Sequence, residues 1–222
     1  SVPGLDYGLV AFYPFDGNAS DMSGNGNHGT VSGASLVSDR HGVAGKAYSF
    51  DGVNDYISLG DLDLKGPFTL NAWINTDMIW GTHAIIHKKQ SVNFRAGYGN
   101  QKLHGFIAMV KAPDFISYSS SMLSVGSWQM MTMVYDAGAR SLKMYVDGQD
   151  KTVVHSTGSG AINQNNYAMH IGSYSDPSLS SSEWFDGKLD DIRIYNRALS
   201  AAEVSQLHDL EKPLPAPVIT AH

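Results

Sequence analysis

Cysteine is absent from this chain of 222 residues. That excludes a disulfide frame, a thiolate nucleophile and a zinc–thiolate site, although it does not by itself fix a compartment. Long apolar runs are missing too, since none reaches the roughly 18 residues of a membrane-spanning helix. Glutamate is scarce, and the first in the chain is Glu183. A twelve-residue helix–loop–helix calcium loop ends on a bidentate Glu, so none lies upstream of that position. Basic character is also lacking overall: the net charge is −6, which with the absence of any recognisable motif disfavours nucleic acid as a partner. No Met opens the chain at Ser1, which leads us to expect a processed or excised domain.

Hydrophobic residues make up 42% of the chain, enough for the core of one β-domain, a class that runs to about 200–250 residues. Short alternating segments dominate, at residues 7–15, 47–50, 56–59, 68–74, 84–87, 94–98, 103–110, 128–135, 141–146, 168–171 and 188–195. The clearest hairpin has apolar Leu142, Met144 and Val146 alternating with Lys143 and Tyr145 before Asp147-Gly148 reverses the chain. One helix is expected over residues 200–210, where Ser200 and Glu203 form a capping box and Val204, Leu207 and Leu210 one stripe. Many short strands with one C-terminal helix predict an all-β sandwich of jelly-roll type. Residues 212–222, KPLPAPVITAH, read as a Pro-rich linker towards a following module.

Residues 15–30, FDGNASDMSGNGNHGT, form a Gly-, Asn- and Asp-rich loop after an apolar strand. Asp16, Asn18, Asp21, Asn25 and Asn27 offer hard oxygen donors, as calcium requires. The same residue types also build polar turns with no ion at all. Elsewhere, residues 83–111 hold Lys88, Lys89, Arg95, Lys102 and Lys111 with no acid, a charge of +5 inside a chain of −6. Such segregation creates a local positive field suited to an anionic polysaccharide; the alternative is lysines facing solvent to discourage edge pairing. Trp73 and Trp128 sit in core patterns, whereas Trp80 and Trp184 sit in polar loops. Loops on a rigid scaffold carry recognition residues, so Trp80, His83, Arg95, Tyr98, His104 and Trp184 are the candidate ligand-binding set. The opposing reading has each loop Trp packing over an open end of the sandwich, and His83 and His87 as ordinary core or edge histidines.

Four separated motifs carry a resemblance: LVAFYPFDGNASDMSGNGNHGT at 9–30, AYSFDGVNDYISL at 47–59, FTLNAWI at 68–74 and GKLDDIRIYNRALSAAEV at 187–204. In this order and spacing the chain resembles the concanavalin A-like, laminin G-like domains of secreted bacterial multidomain proteins. The resemblance covers about residues 5–210, and the domain is taken as 1–211. It implies a jelly roll of two curved antiparallel sheets and one structural calcium ion. Carried onto this sequence, the metal ligands would be Asp16, Asn18, Asp21 and Asn25 with Asp190 from near the chain's end. First and last strands of such sandwiches are neighbours, so the ion would clip the termini together. Asp191, pointing to the opposite strand face, would pair with Arg193 or Arg197 instead.

The fold hosts lectins, adhesive modules, carbohydrate-binding appendages and enzymes alike. Laminarinase-like hydrolases of this architecture need a Glu-x-Asp-x-x-Glu strand, and no strand here carries acidic residues at i and i+2. Gly-x-Ser-x-Gly in a strand-to-helix turn is missing as well. The expectation is therefore a non-catalytic, calcium-stabilised carbohydrate-binding module of a secreted or cell-surface bacterial protein, binding a polysaccharide and flanked by other domains. An adhesive or spacer domain is the alternative, and a lyase or hydrolase the remoter one.

Overall fold

The computed structural model describes residues 4–78, 81–97, 101–111, 113–174 and 183–213. Two eight-stranded antiparallel sheets make the sandwich. The first contains β1 (Leu9–Tyr13), β3 (Ser35–Val37), β4 (Ala47–Asp51), β6 (Phe68–Thr76), β12 (Gln129–Asp136), β13 (Ser141–Val146), β14 (Gln149–Asp150) and β18 (Asp186–Tyr195). Its order is β14-β13-β12-β6-β18-β4-β3, with β1 also paired to β18. The second contains β2 (Thr30–Ser32), β5 (Tyr56–Ser58), β7 (His83–Lys88), β8 (Val92–Gly97), β9 (Lys102–Ile107), β11 (Phe115–Met122), β15 (Thr152–Ser156) and β17 (Met169–Ile171), in the order β15-β11-β9-β8-β7-β17-β5-β2. β10 (Met109–Lys111) and β16 (Ser159–Ile162) pair separately at one end. Among the described residues no helix is long and apolar enough to cross a membrane.

The two sheets differ in what covers their outer faces. On β6 the residues Phe68, Leu70, Ala72 and Ile74 enter the core shared by both sheets. Trp73 points the other way and joins Leu5, Met130, Val134, Tyr145, Tyr195, Leu199, Val204 and Leu207 in a second apolar cluster. That cluster is roofed by α1 (Ala201–Glu211), whose capping box is present as expected, with the Ser200 hydroxyl accepting from the Glu203 N–H. Covered on both faces, β6 is buried along its whole length, the pattern of a central strand. The helical stripe is narrower than expected: Val204 and Leu207 are buried, but Leu210 is exposed.

No helix lies over the second sheet among the described residues. On β8, Val92, Phe94 and Ala96 enter the core, so Asn93 and Arg95 project from the outer face by strand alternation. In β9 the residues Leu103 and Ile107 are inward, leaving His104 and Phe106 outward. This uncovered face carries the site described below.

Chain ends meet as the sandwich topology predicts. β18 pairs with β4 through residues 186–189 and with β1 through residues 192–195, exchanging one neighbour for the other between them. Strand register shifts between Asp190 and Arg193 at that switch, and Asp191 takes the left-handed φ of 44°. The bulge corrects the expectation for Asp191: simple alternation fails, and both aspartates reach Arg40 instead of facing apart. The hairpin turn at Asp147-Gly148 has φ of 49° and 73°, the paired positive angles of a type I′ turn.

Candidate functional site

The polar loop after β1 is organised from within. Asp21 is buried; its Oδ1 accepts from the Phe12 and Ser23 N–H groups at 3.0 and 2.8 Å. Its Oδ2 accepts from the Ser23 hydroxyl and the Asn27 N–H, both at 2.9 Å. Burial acts to raise the Asp21 pKa, but these donors outweigh it and hold the carboxyl below its ordinary value. Asn18 accepts from the Ser20 N–H, and the Asn25 amide donates to the Leu9 and Val10 carbonyls. The Asn18–Ser20 and Asp21–Ser23 bonds are Asx turns.

Asp16 and Asp190 do share a cavity, of about 200 Å³, with Asp39, Arg40, Lys46 and Asp191. There Arg40 Nη1 donates to Asp190 at 2.5 Å and Nη2 to Asp191 at 2.6 Å, while Lys46 pairs with Asp16 at 2.7 Å. Arg40 Nε donates to the Glu211 carbonyl, and its guanidinium lies 4.8 Å from the Trp73 ring centroid. Among the described residues no three His, Asp or Glu side chains gather to hold a metal ion. A calcium ion bridging the two segments would have to displace Arg40 or Lys46. As arranged, Asp16, Asn18, Asp21, Asn25 and Asp190 do not fit one such ion.

The second sheet's outer face holds a larger cavity, of about 470 Å³, lined by residues of β7, β8 and β9 together with Asp114, Asn163, Tyr174 and Glu183. Register builds it. His170, His87, Asn93, Phe106 and Ile116 are successive cross-strand partners, as are Arg95, His104 and Tyr118. Arg95 is the hub: Nε donates to His104 Nδ1 at 2.8 Å, and Nη1 donates to the two Glu183 oxygens at 2.9 and 3.0 Å. Burial, then the Arg95 and His155 charges, push the His104 pKa down to about 3. His104 is thus neutral, with Nδ1 as acceptor.

One aromatic stack, His87–Tyr174, lines the cavity, and two more lie on strands of the same sheet. Tyr174 lies on His87 with centroids 3.9 Å apart, Tyr56 on His170 at 4.8 Å, and Tyr118 tilts over His104 at 4.8 Å. Lys88 also lines the cavity, yet its side chain is 1% exposed; Nζ donates to Asp61 at 2.5 Å and Asp63 at 2.6 Å. Asn93 is buried, and its Oδ1 accepts no hydrogen bond among the described residues.

Of the six expected ligand-binding residues, Arg95 and His104 come into direct contact. His83 is buried at the other end of β7, its Nδ1 3.0 Å from the Trp184 carbonyl oxygen. Trp184 is half-buried beside Tyr56, with centroids 6.3 Å apart. Trp80 and Tyr98 lie outside the described residues. Asn93, Phe106, Tyr174 and Glu183 were not anticipated. Asn93 and Phe106 follow from strand phase alone, and Glu183 is notable in sequence as the lone Glu before the terminal helix. The positive field expected of residues 83–111 is corrected at this face, because acids from elsewhere in the chain neutralise Lys88 and Arg95.

Both the sandwich and the motif order point one way, and a family profile decides it. The profile of the concanavalin A-like lectin/glucanases superfamily matches residues 51–205. The chain belongs to this superfamily. No curated protein matches it in sequence. Among solved structures it is similar to domain 4 of the GH43 extracellular arabinanase AbnA from Geobacillus stearothermophilus, in complex with arabinotriose. That likeness has a TM-score of 0.69 at 21% identity and covers 90% of this chain and 98% of that domain. It is also similar to the binding domain of Paraclostridial Mosquitocidal Protein 1, with TM-score 0.69, 18% identity and coverage of 93% and 53%. For the binding domain of botulinum neurotoxin serotype G the values are 0.66, 15%, 91% and 51%. The chain spans about half the length of these two toxin domains. Likeness at such identities establishes the superfamily's fold.

Proposed function

We propose that the domain is a non-catalytic glycan-binding module of a secreted or cell-surface protein, and that the ligand seats on the outer face of the second sheet. The observation that carries this reading is the cavity of about 470 Å³ there, lined by the His87–Tyr174 stack, Phe106 and polar side chains on a sheet with no helix over it among the described residues. Aromatic faces suit the CH side of a sugar ring, and a few fixed polar groups suit its hydroxyls. The binding domains that share the fold are consistent with this reading, arabinotriose being bound in one of them.

Both carboxylates in the cavity have structural partners. Glu183 is held by Arg95, and Asp114 Oδ1 accepts from the Met109 N–H at 2.8 Å. Neither is therefore poised as a general acid or base, which supports binding without turnover. Calorimetric titration with arabinotriose and a panel of plant and microbial oligosaccharides tests the proposal. Saturable binding that Arg95→Ala abolishes is the expected outcome; no heat with any glycan would overturn it and favour an adhesive or spacer domain. Release of shortened products would instead show an enzyme.

A further inference from the structure

The chemistry lining the cavity narrows the ligand class, given the glycan-binding reading on which this step rests. Four formal charges line it: Lys88 and Arg95, against Asp114 and Glu183. Lys88 is further held by Asp61 and Asp63, so it offers little to a ligand. Arg95 presents its guanidinium to Glu183 on one side and to His104 on the other. His104 has its Nδ1 occupied as an acceptor and carries no charge near neutral pH. A carboxylate or sulfate entering here would have to break an existing ion pair, and would then stand beside the acid it displaced.

We infer that the cavity selects an uncharged, hydroxyl-rich ligand, a neutral oligosaccharide, over uronate-bearing or sulfated glycans, and that the Asn93 amide is its specificity determinant. Asn93 sits between His87 and Phe106 across the strands. Its buried Oδ1, without a partner among the described residues, is an acceptor waiting for a donor. Only a group that donates a hydrogen bond can satisfy it, as a sugar hydroxyl does; a carboxylate or sulfate group seated there accepts and does not donate. Adjacent to it, the His87–Tyr174 stack and the half-buried Phe106 ring supply apolar surface for the ring CH groups.

The test uses calorimetry with matched pairs of neutral oligosaccharides and uronate-containing or sulfated oligosaccharides of equal length, at low and high salt. The inference expects binding of a neutral member that is insensitive to salt from about 0.05 to about 1 M. Asn93→Ala should weaken it by about tenfold, the loss of one hydrogen bond at a buried acceptor site, with the melting temperature little changed. Glu183→Gln should raise the ratio of anionic to neutral affinity by about tenfold, because Arg95 then lacks its counter-charge. Binding of anionic glycans alone, weakening steeply with salt, would overturn the inference and leave the glycan-binding reading standing. Absence of binding by every member would overturn both. An Asn93→Ala protein that binds as the parent does would remove Asn93 from the account.

Discussion

Two arginines show how the molecule separates architecture from recognition. Arg40 is closed: its side chain is 5% exposed, pairs with two aspartates, donates to a carbonyl and lies over Trp73. Arg95 is also paired, but it and the half-buried Glu183 line an open cavity in which the Asn93 amide oxygen has no partner among the described residues. The first site has its hydrogen bonds met by the chain itself and ties the Arg40 loop to β18 and the end of α1. The second leaves one polar group for something from outside. Hydrogen-bonding capacity left unmet inside an open cavity, rather than the presence of charge, gives a ligand something to satisfy.

Breaking the closed site should have the largest effect. Arg40→Ala leaves Asp191 without its cation and Asp190 and the Glu211 carbonyl without their donor, and chemical denaturation should show a loss of about 3–5 kcal/mol. An unchanged midpoint would show that the network contributes nothing.

The closed site also sets a pH dependence. Among the described residues the cations paired with Asp190, Asp191 and Glu211 are Arg40 and Arg193, with Asp39 nearby and the Trp73 indole donating to Glu211. Burial, then the Asp191 charge, raise the Asp190 pKa to about 8, against the pull of Arg40. Glu211 is raised too, by burial first and with Arg193 opposing. The native state thus retains protons that the unfolded chain releases above its ordinary carboxyl range of about 4. Since the folded form binds more protons, this network's contribution to stability should fall as pH rises from about 4 to about 8. Thermal melts of the parent and Asp190→Asn should diverge over that window, with the variant flatter; parallel curves would contradict the assignment. At the open site the sign reverses. His104, lowered to about 3, should lose stability as pH falls from about 6.5 towards 3.

A smaller effect on stability sharpens the contrast. Arg95→Ala removes a partly exposed pair, so the cost should be about 1 kcal/mol or less, while glycan binding disappears. A large loss of stability would place Arg95 with Arg40 as an architectural residue. Smallest of all is the effect of a chelator, which should leave the melting temperature unmoved because Arg40 holds Asp190 and Lys46 holds Asp16. A drop on chelation would show a cation displacing Arg40 or Lys46.

Much of the fold was legible in the sequence. The alternation at 141–146 coincides with β13, the capping box starts α1, and the termini meet at β18. β11 escaped notice for a physical reason. Its inward positions after Phe115 are Ser117 and Ser119, buried through hydrogen bonds to the Leu142 and Ser121 carbonyls and from the Leu103 N–H, so the apolar alternation stops after one residue. The space is small because sulfur fills it: a Cβ on Gly105, opposite Ser117, would lie 2.6 Å from Met133 Sδ. In the site, Arg95 and His104 were visible as members of one basic segment. Glu183 was not, since it joins Arg95 across 88 residues. The Arg40 clip was hidden likewise, because a bulge at Asp191 overrides the strand period from which the two aspartates were read.

The most direct test of the account is an NMR titration of the labelled domain with a neutral oligosaccharide from the panel. Shifts gathered on Asn93, Arg95, His104 and Phe106, with Arg40 and Asp190 unmoved, are the predicted result. Shifts centred on Arg40 and Asp190, with Asn93 silent, would contradict it.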